Sequence, residues 1–346
     1  MQRTVFFAVI IVISSVAASE VRAKEPATSS TAASGNVGYQ QITVPDPDGK
    51  PLQVGVWYPS AASASLQPLG LFQQKVAPKG ALSGDRLPLV LISHGVGGSL
   101  ASHYDTALAL AQAGFVVAAV THTGDNSQDQ SYVGNQRDLI DRPRQISRVL
   151  DFMLGAWPEH TRLDTNRVGI FGFSLGGFTA LVTIDGIPDL SRIPQFCSDK
   201  PKAPECRFIK ERHGDQLSAK SVSYSTWIHD ARVKAAVVAA PAVGFTFAAG
   251  GLRNVKVPVQ LWCGEEDQES PNPWNSDVVR SGLPTPPDPH SVANASHFAF
   301  LAPCSEALAK TVPRICKDPP DFDRSAFHRE FNRLVVDFFS AKLTAR

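Results

Sequence analysis

RVGIFGFSLGGFTA, residues 167–180, joins a short apolar strand signal, a G-x-S-x-G pattern and the start of an apolar helix. Arg167 to Phe171 reads as the strand and Phe178 to Ile184 as the helix, with Gly172-Phe173-Ser174-Leu175-Gly176-Gly177 between them. A sharp strand-to-helix turn crowds the neighbouring backbone. Glycine on either side of the central residue relieves that crowding and lets the serine hydroxyl project from the turn. The helix N-terminus beneath it favours negative charge. The five-residue pattern by itself is common, and its strand–turn–helix context is what makes it specific. Ser174 is the candidate nucleophile; the competing reading is an ordinary Gly-rich turn with a solvent-facing serine.

The rest of the chain repeats the same rhythm. Short apolar runs at Leu87 to Ile92, Phe115 to Val120, Val168 to Phe171, Val233 to Ala239 and Val257 to Trp262 alternate with helical stretches. Continuous rather than alternating apolar runs indicate strands buried on both faces, as helices on both sides of a mostly parallel sheet require. Gln40 to Val44 and Leu52 to Trp57, separated by Pro45-Asp46-Pro47-Asp48-Gly49, predict a hairpin ahead of this α/β region, followed by a loop at 59–86. Ile146, Val149, Leu150 and Met153 share one helical face, with Pro143 expected in that helix's first turn. Phe327, Phe331, Leu334, Val335 and Phe338 form the apolar face of a final helix. Residues 185–230 and 268–287 break the pattern and read as insertions, one of them lid-like.

A serine hydroxyl is a weak nucleophile at neutral pH and needs a base held by a carboxylate. Asp267 closes Cys263-Gly264-Glu265-Glu266-Asp267 after the Val257 to Trp262 strand, at the strand edge where parallel sheets build sites. Glu266 is the second choice, and a solvated acidic loop is the bland reading. His297, in Asn294-Ala295-Ser296-His297-Phe298, completes the order serine, acid, histidine. Its competitors are His290, His122 and His328. Ser93-His94-Gly95-Val96-Gly97-Gly98 follows an earlier strand and can offer a backbone N–H to an oxyanion. The expected donors are Val96 and Leu175, the residue after the nucleophile. No Walker pattern, no dinucleotide fingerprint and no metal-binding spacing occurs, so neither a cofactor nor a metal is expected.

Composition narrows the function further. With 33 Lys+Arg against 32 Asp+Glu the formal charge is +1, which supplies no electrostatic footprint for nucleic acid. Arg3, the apolar stretch Val5 to Ile13 and Val21-Arg22-Ala23 compose a signal peptide over 1–23, with Ala18 as an alternative cleavage point. The apolar run is short for a membrane span. A secreted or periplasmic protein without a stable membrane anchor is expected, with a disordered lead-in over 24–37 and one α/β domain over 38–346. Five cysteines leave at least one unpaired. Cys197 with Cys206 and Cys304 with Cys316 are near enough in sequence to bridge, which leaves Cys263 free.

Taken together, H-G-V-G-G, G-F-S-L-G-G, G-E-E-D and A-S-H-F resemble the α/β-hydrolase superfamily. Within it, the chain is similar to the predicted dienelactone-hydrolase group related to platelet-activating-factor acetylhydrolases. The more specific pieces are Ser93 to Gly98, Thr121-His122-Thr123-Gly124, Arg142-Pro143 and Arg167 to Ala180. The resemblance implies an eight-stranded, mostly parallel sheet, a serine triad and hydrolysis of short-acyl or lipid-like esters. Dienelactone hydrolases use cysteine where this chain has Ser174, and the acetylhydrolases place their acid one strand earlier than Asp267. The expected partner is a small-molecule ester. An amidase or lactonase using the same residues, or a non-catalytic ligand-binding protein, is the alternative.

Overall fold

The structure, a computed structural model, describes residues 35–213 and 226–344. The expected signal peptide and nearly all of the expected lead-in therefore lie outside the described residues, as does part of the 185–230 insertion.

A central ten-stranded sheet runs β10-β9-β8-β7-β5-β6-β2-β1-β4-β3. Its strands are β1 (Asn36–Val44), β2 (Leu52–Ser60), β3 (Ser65–Leu69), β4 (Phe72–Pro78), β5 (Leu87–Ser93), β6 (Val116–Thr121), β7 (Leu163–Phe173), β8 (Val233–Ala239), β9 (Val259–Gly264) and β10 (Asp288–Val292). From β6 through β10 every pairing is parallel. β2 joins β6, and β1 joins β2, antiparallel. The apolar runs have the double-sided burial read from sequence. Leu89 and Leu91 of β5 point into one core and Val90 and Ile92 into the other, and β8 divides Ala236 and Val238 from Ala235 and Val237 in the same way. The first core is covered by α2 (Gln136–Gly155) and α3 (Leu175–Thr183), the second by α1 (Tyr104–Gln112) and α9 (Arg324–Lys342).

Three expectations are corrected. The sheet has ten strands, because residues 59–86 are not a loop: β3 and β4 pair antiparallel across Gly70-Leu71, with Gly70 at φ 59°. β4 then docks on β1, and Gln74 accepts the Trp57 indole N–H at 2.7 Å. The first strand starts at Asn36, inside the expected lead-in, since Asn36 and Val37 pair with Ser60 and Pro59. Pro143 lies inside α2 rather than in its first turn. The start is set earlier by Asn135, whose side chain accepts the Asp138 N–H at 3.2 Å as an N-cap.

The insertions carry helices of their own: α4 (Arg192–Asp199) and α5 (Pro204–His213) in the first, α6 (Ser276–Gly282) in the second. Cys197–Cys206 ties α4 to α5, and Cys304–Cys316 clasps α7 (Glu306–Thr311) with α8 (Pro313–Cys316). Cys263 is the free cysteine.

Candidate active site

The chain leaves β5 for β6 on one side and returns to β7 on the other, so the switch point of the sheet falls between β5 and β7. Ligand sites in open α/β sheets form outside the strands' carboxyl ends at such a point. Ser93-His94-Gly95 leaves β5 there, and Ser174 follows β7. Asp267 and His297 follow β9 and β10 on the same sheet edge.

Ser174 sits at φ 55° and ψ −119° between β7 and α3, a backbone conformation costly for a residue with a side chain. The flanking glycines explain how it is held. A Cβ on Gly172 would meet the Gly176 carbonyl oxygen at 2.0 Å, and a Cβ on Gly176 would meet that of Ser93 at 2.0 Å. Both positions demand glycine because backbone, which cannot rotate away, fills the space. The turn is tied down by Ser174 N–H donating to the Ala239 carbonyl at 2.9 Å and by Ala242 N–H donating to that of Ser174 at 3.0 Å.

His297 begins a 3₁₀ turn and is buried against the rings of Phe173 and Phe298, with centroids at 4.8 and 5.4 Å. Its Nδ1 lies 2.7 Å from Asp267 Oδ2 and its Nε2 lies 2.9 Å from Ser174 Oγ. Since a carboxylate only accepts, the network assigns the proton to Nδ1 and leaves Nε2 to accept from the serine hydroxyl. Asp267 Oδ1 accepts the N–H groups of Glu269 at 2.9 Å and Ser270 at 2.8 Å. Burial opposes ionisation of Asp267, but the His297 charge, the hydrogen bond from it and these two N–H groups outweigh it and hold the carboxyl below its ordinary value. Glu266, the second-choice acid, is exposed and contributes only its backbone, to Ala295.

The other histidines have different partners. His290 stacks on Trp262 at 4.0 Å, and His328, which is buried, links Asp105 to the Ala299 carbonyl. His122 accepts from Ser93 Oγ at 2.9 Å and donates Nδ1–H to Gln145 at 2.8 Å.

Val96 and Leu175 line the same cavity as Ser174. Leu175 opens α3, so its N–H has no intrahelical acceptor. The loop that carries Val96 packs directly on Ser174, since a Cβ on Gly95 would come within 3.0 Å of Ser174 Cβ.

Beneath that loop is a buried polar framework that sequence reading did not assign. Arg142 forms an ion pair with Asp125, donates to the His94 carbonyl, and reaches Thr179 of α3 at 3.2 Å. Asp125 in turn accepts Gly97 N–H at 2.7 Å. One guanidinium thus fixes both ends of the loop and joins it to the helix under Ser174. His94 donates Nδ1–H to Gly95 and accepts His122 N–H at Nε2. Burial, reinforced by Arg142, pushes both His94 and His122 well below the ordinary histidine range, so both are neutral. Burial and the Asp125 charge push the Asp138 carboxyl well above its ordinary value. Arg142→Ala is expected to destabilise the protein by about 3–5 kcal/mol, because Asp125 would remain charged and buried without its partner. Urea denaturation measures this, with Arg142→Lys falling between the two because it restores charge but not the fork.

The cavity over Ser174 has a volume of about 890 Å³ and is lined largely by apolar side chains, among them Phe173, Leu175, Phe208, Val243, Phe298 and Leu301. The first insertion supplies Ile193 and α5, and the second supplies Glu269 and Ser270. Two further walls were not apparent from sequence: the β3–β4 turn and the disulfide-clasped α7–α8 segment. Among the described residues no cluster of side chains is arranged to hold a metal.

A family model described as platelet-activating factor acetylhydrolase, isoform II, matches residues 69–149. That span carries β5, the Ser93 to Gly98 loop, Asp125 and Arg142. No curated protein matches in sequence. Among solved structures, a ferulic acid esterase from Streptomyces cinnamoneus is similar at 18% identity and TM-score 0.58, over 92% of this chain and 93% of that one. An acylaminoacyl peptidase from Pyrococcus horikoshii is similar at 12% identity and TM-score 0.52, over 90% of this chain but 42% of that one. The sheet order, the turn at Ser174 and these likenesses together show that the chain has the α/β-hydrolase fold, and its residues 69–149 resemble the platelet-activating-factor acetylhydrolase family.

Proposed function

We propose that the protein is an exported serine hydrolase that cleaves small carboxylic esters through an acyl-enzyme on Ser174. The observation that carries this reading is the hydrogen-bonded series Ser174–His297–Asp267 facing an apolar cavity of about 890 Å³. Ser174 Oγ attacks the ester carbonyl carbon while His297 Nε2 takes the hydroxyl proton. Asp267 keeps the imidazole oriented and stabilises its charge. The carbonyl oxygen becomes an oxyanion that accepts the Val96 and Leu175 N–H groups. As the intermediate collapses, the bond to the alcohol oxygen breaks and His297 returns the proton to that oxygen. Water then adds to the acyl-enzyme by the same route and releases the acid and Ser174.

The apolar lining and the near-neutral chain favour an uncharged ester. Two disulfides support an oxidising compartment, in keeping with the expected signal peptide. Among the described residues no helix is long and apolar enough to cross a membrane. Comparing p-nitrophenyl acetate, butyrate and palmitate tests the acyl preference. Acetate or butyrate is expected to exceed palmitate by about 10-fold or more in kcat/KM, as each methylene that the cavity wall does not seat is penalised. Preference for palmitate would overturn the short-acyl assignment.

A further inference from the structure

His328 lies near the start of α9 and is only 2% exposed. Its Nδ1 lies 2.6 Å from Asp105 Oδ2 on α1, and its Nε2 lies 2.8 Å from the Ala299 carbonyl oxygen. Ala299 belongs to the 3₁₀ turn His297–Phe300, two residues from His297 itself. The next residue of that turn, Phe300, packs edge-on against Phe327 and Phe331 of α9, with centroids at 5.5 and 5.8 Å.

The partners of His328 fix where its protons are. Asp105 Oδ2 also accepts Asn332 Nδ2–H at 2.8 Å, and Thr106 orients that amide by donating its hydroxyl to Asn332 Oδ1 at 2.7 Å. Burial opposes ionisation of Asp105, but the His328 charge and the hydrogen bonds from His328 and Asn332 outweigh it and hold the carboxyl below its ordinary value. A carboxylate and a peptide carbonyl only accept, so both ring nitrogens of His328 must donate, and a ring with two N–H groups is an imidazolium. The neighbouring His103 is neutral, because burial drives it down to about 3. The positive charge opposite Asp105 therefore belongs to His328.

We propose that His328 is a positioning residue for His297: as an imidazolium it donates from both ring nitrogens and ties the turn that carries His297 to α1 and α9 at once. The inference rests on the hydrolase reading of the site and adds to it how the base is held. A neutral ring has one N–H and could serve Asp105 or Ala299, not both. An imidazolium has no second tautomer, so neither bond is given up by moving a proton between the nitrogens. Asp267 and Ser174 each meet His297 at one ring nitrogen, and the backbone anchored at Ala299 decides where that ring sits.

Two substitutions separate the two bonds. Asparagine reaches about as far as Nδ1 and glutamine about as far as Nε2, so His328→Asn keeps a donor for Asp105 and His328→Gln keeps the one for Ala299. Kinetics on p-nitrophenyl butyrate are counted per site titrated with a fluorophosphonate, so loss of folded protein cancels. His328→Asn is expected to lower kcat about 10–100-fold with KM within about twofold of the wild type, the scale of a misplaced reacting group, and His328→Gln to recover kcat to within about threefold. Val335→Ala removes packing from the buried face of the same helix, and is expected to lower the melting temperature while leaving kcat per site unchanged. Nitrogen-15 NMR of histidine-labelled protein at neutral pH reads the claim without turnover. His328, assigned by its loss from His328→Gln, is expected to show two ring N–H protons. The Nδ1–H proton of His297 is expected to shift in His328→Asn and to return in His328→Gln. A single ring N–H on His328, an unmoved His297 signal, or a kcat per site that His328→Asn leaves unchanged overturns this inference and leaves the hydrolase reading intact. Two N–H protons on His328 and a shifted His297 signal, in a protein that turns over no ester and takes no fluorophosphonate, support the role of His328 and overturn the hydrolase reading.

Discussion

Ser174→Ala is expected to lower kcat by a factor on the order of 10⁵–10⁶ while leaving the fold intact, the loss seen when the nucleophile of an assembled serine triad is removed. The size follows from the arrangement around the residue. Gly172, Gly176 and the Ala239 and Ala242 hydrogen bonds hold the turn through backbone alone, so alanine preserves it. What disappears is the one hydroxyl aligned on His297 Nε2 at 2.9 Å. The residual rate would come from water activated by His297 together with the two N–H donors. Steady-state kinetics on p-nitrophenyl butyrate measure the loss, and a thermal melt within a few degrees of the wild type shows that folding is unaffected.

The second large effect is at Asp267. Asp267→Asn is expected to reduce kcat about 10⁴-fold with a much smaller change in KM, as in triads whose acid is replaced by its amide. An asparagine can keep the N–H groups of Glu269 and Ser270 on its oxygen only by turning its own N–H₂ toward His297. The imidazole must then present an acceptor at Nδ1, which puts the proton on Nε2, where it cannot receive that of Ser174. The same substitution has a pH signature. The folded protein holds the Asp267 carboxyl below its ordinary value, so ionised Asp267 stabilises the fold above the unfolded value of about 3.9. That contribution is lost as the pH falls through the folded value. The stability gap between the wild type and Asp267→Asn is therefore expected to narrow on acidification, read from urea midpoints between neutral pH and pH 3.

The parts of the molecule that could be read in the sequence are those set by local or one-dimensional constraints. Leu87 to Ile92 and Ala235 to Ala239 announce double-sided burial because every position is apolar or small. The turn at Ser174 is visible because Gly172 and Gly176 are required by backbone only four residues apart. Asp267 and His297 could be located because both follow strands on the same sheet edge, and the two disulfides because their cysteines are 9 and 12 residues apart. β3 and β4 are hard to read because Ser65–Leu69 and Phe72–Pro78 mix polar residues and proline into the last two strands at one end of the sheet, where the pattern is weak. Arg142 looked like part of a helix start. Its meaning depends on Asp125, His94 and Thr179, which three other segments bring to it. Glu205 was equally silent: a glutamate beside a cysteine has no signature until Trp274 and Asn275 claim one of its oxygens.

The most direct test of the account is covalent. A fluorophosphonate reacts with an activated serine and reports on nucleophile, base and oxyanion site together, whatever the natural ester is. Intact-mass and peptide mass spectrometry of the purified protein are expected to show one adduct per chain, on the peptide containing Ser174, and none on Ser174→Ala. An adduct on another residue, or equal labelling of Ser174→Ala, would contradict it.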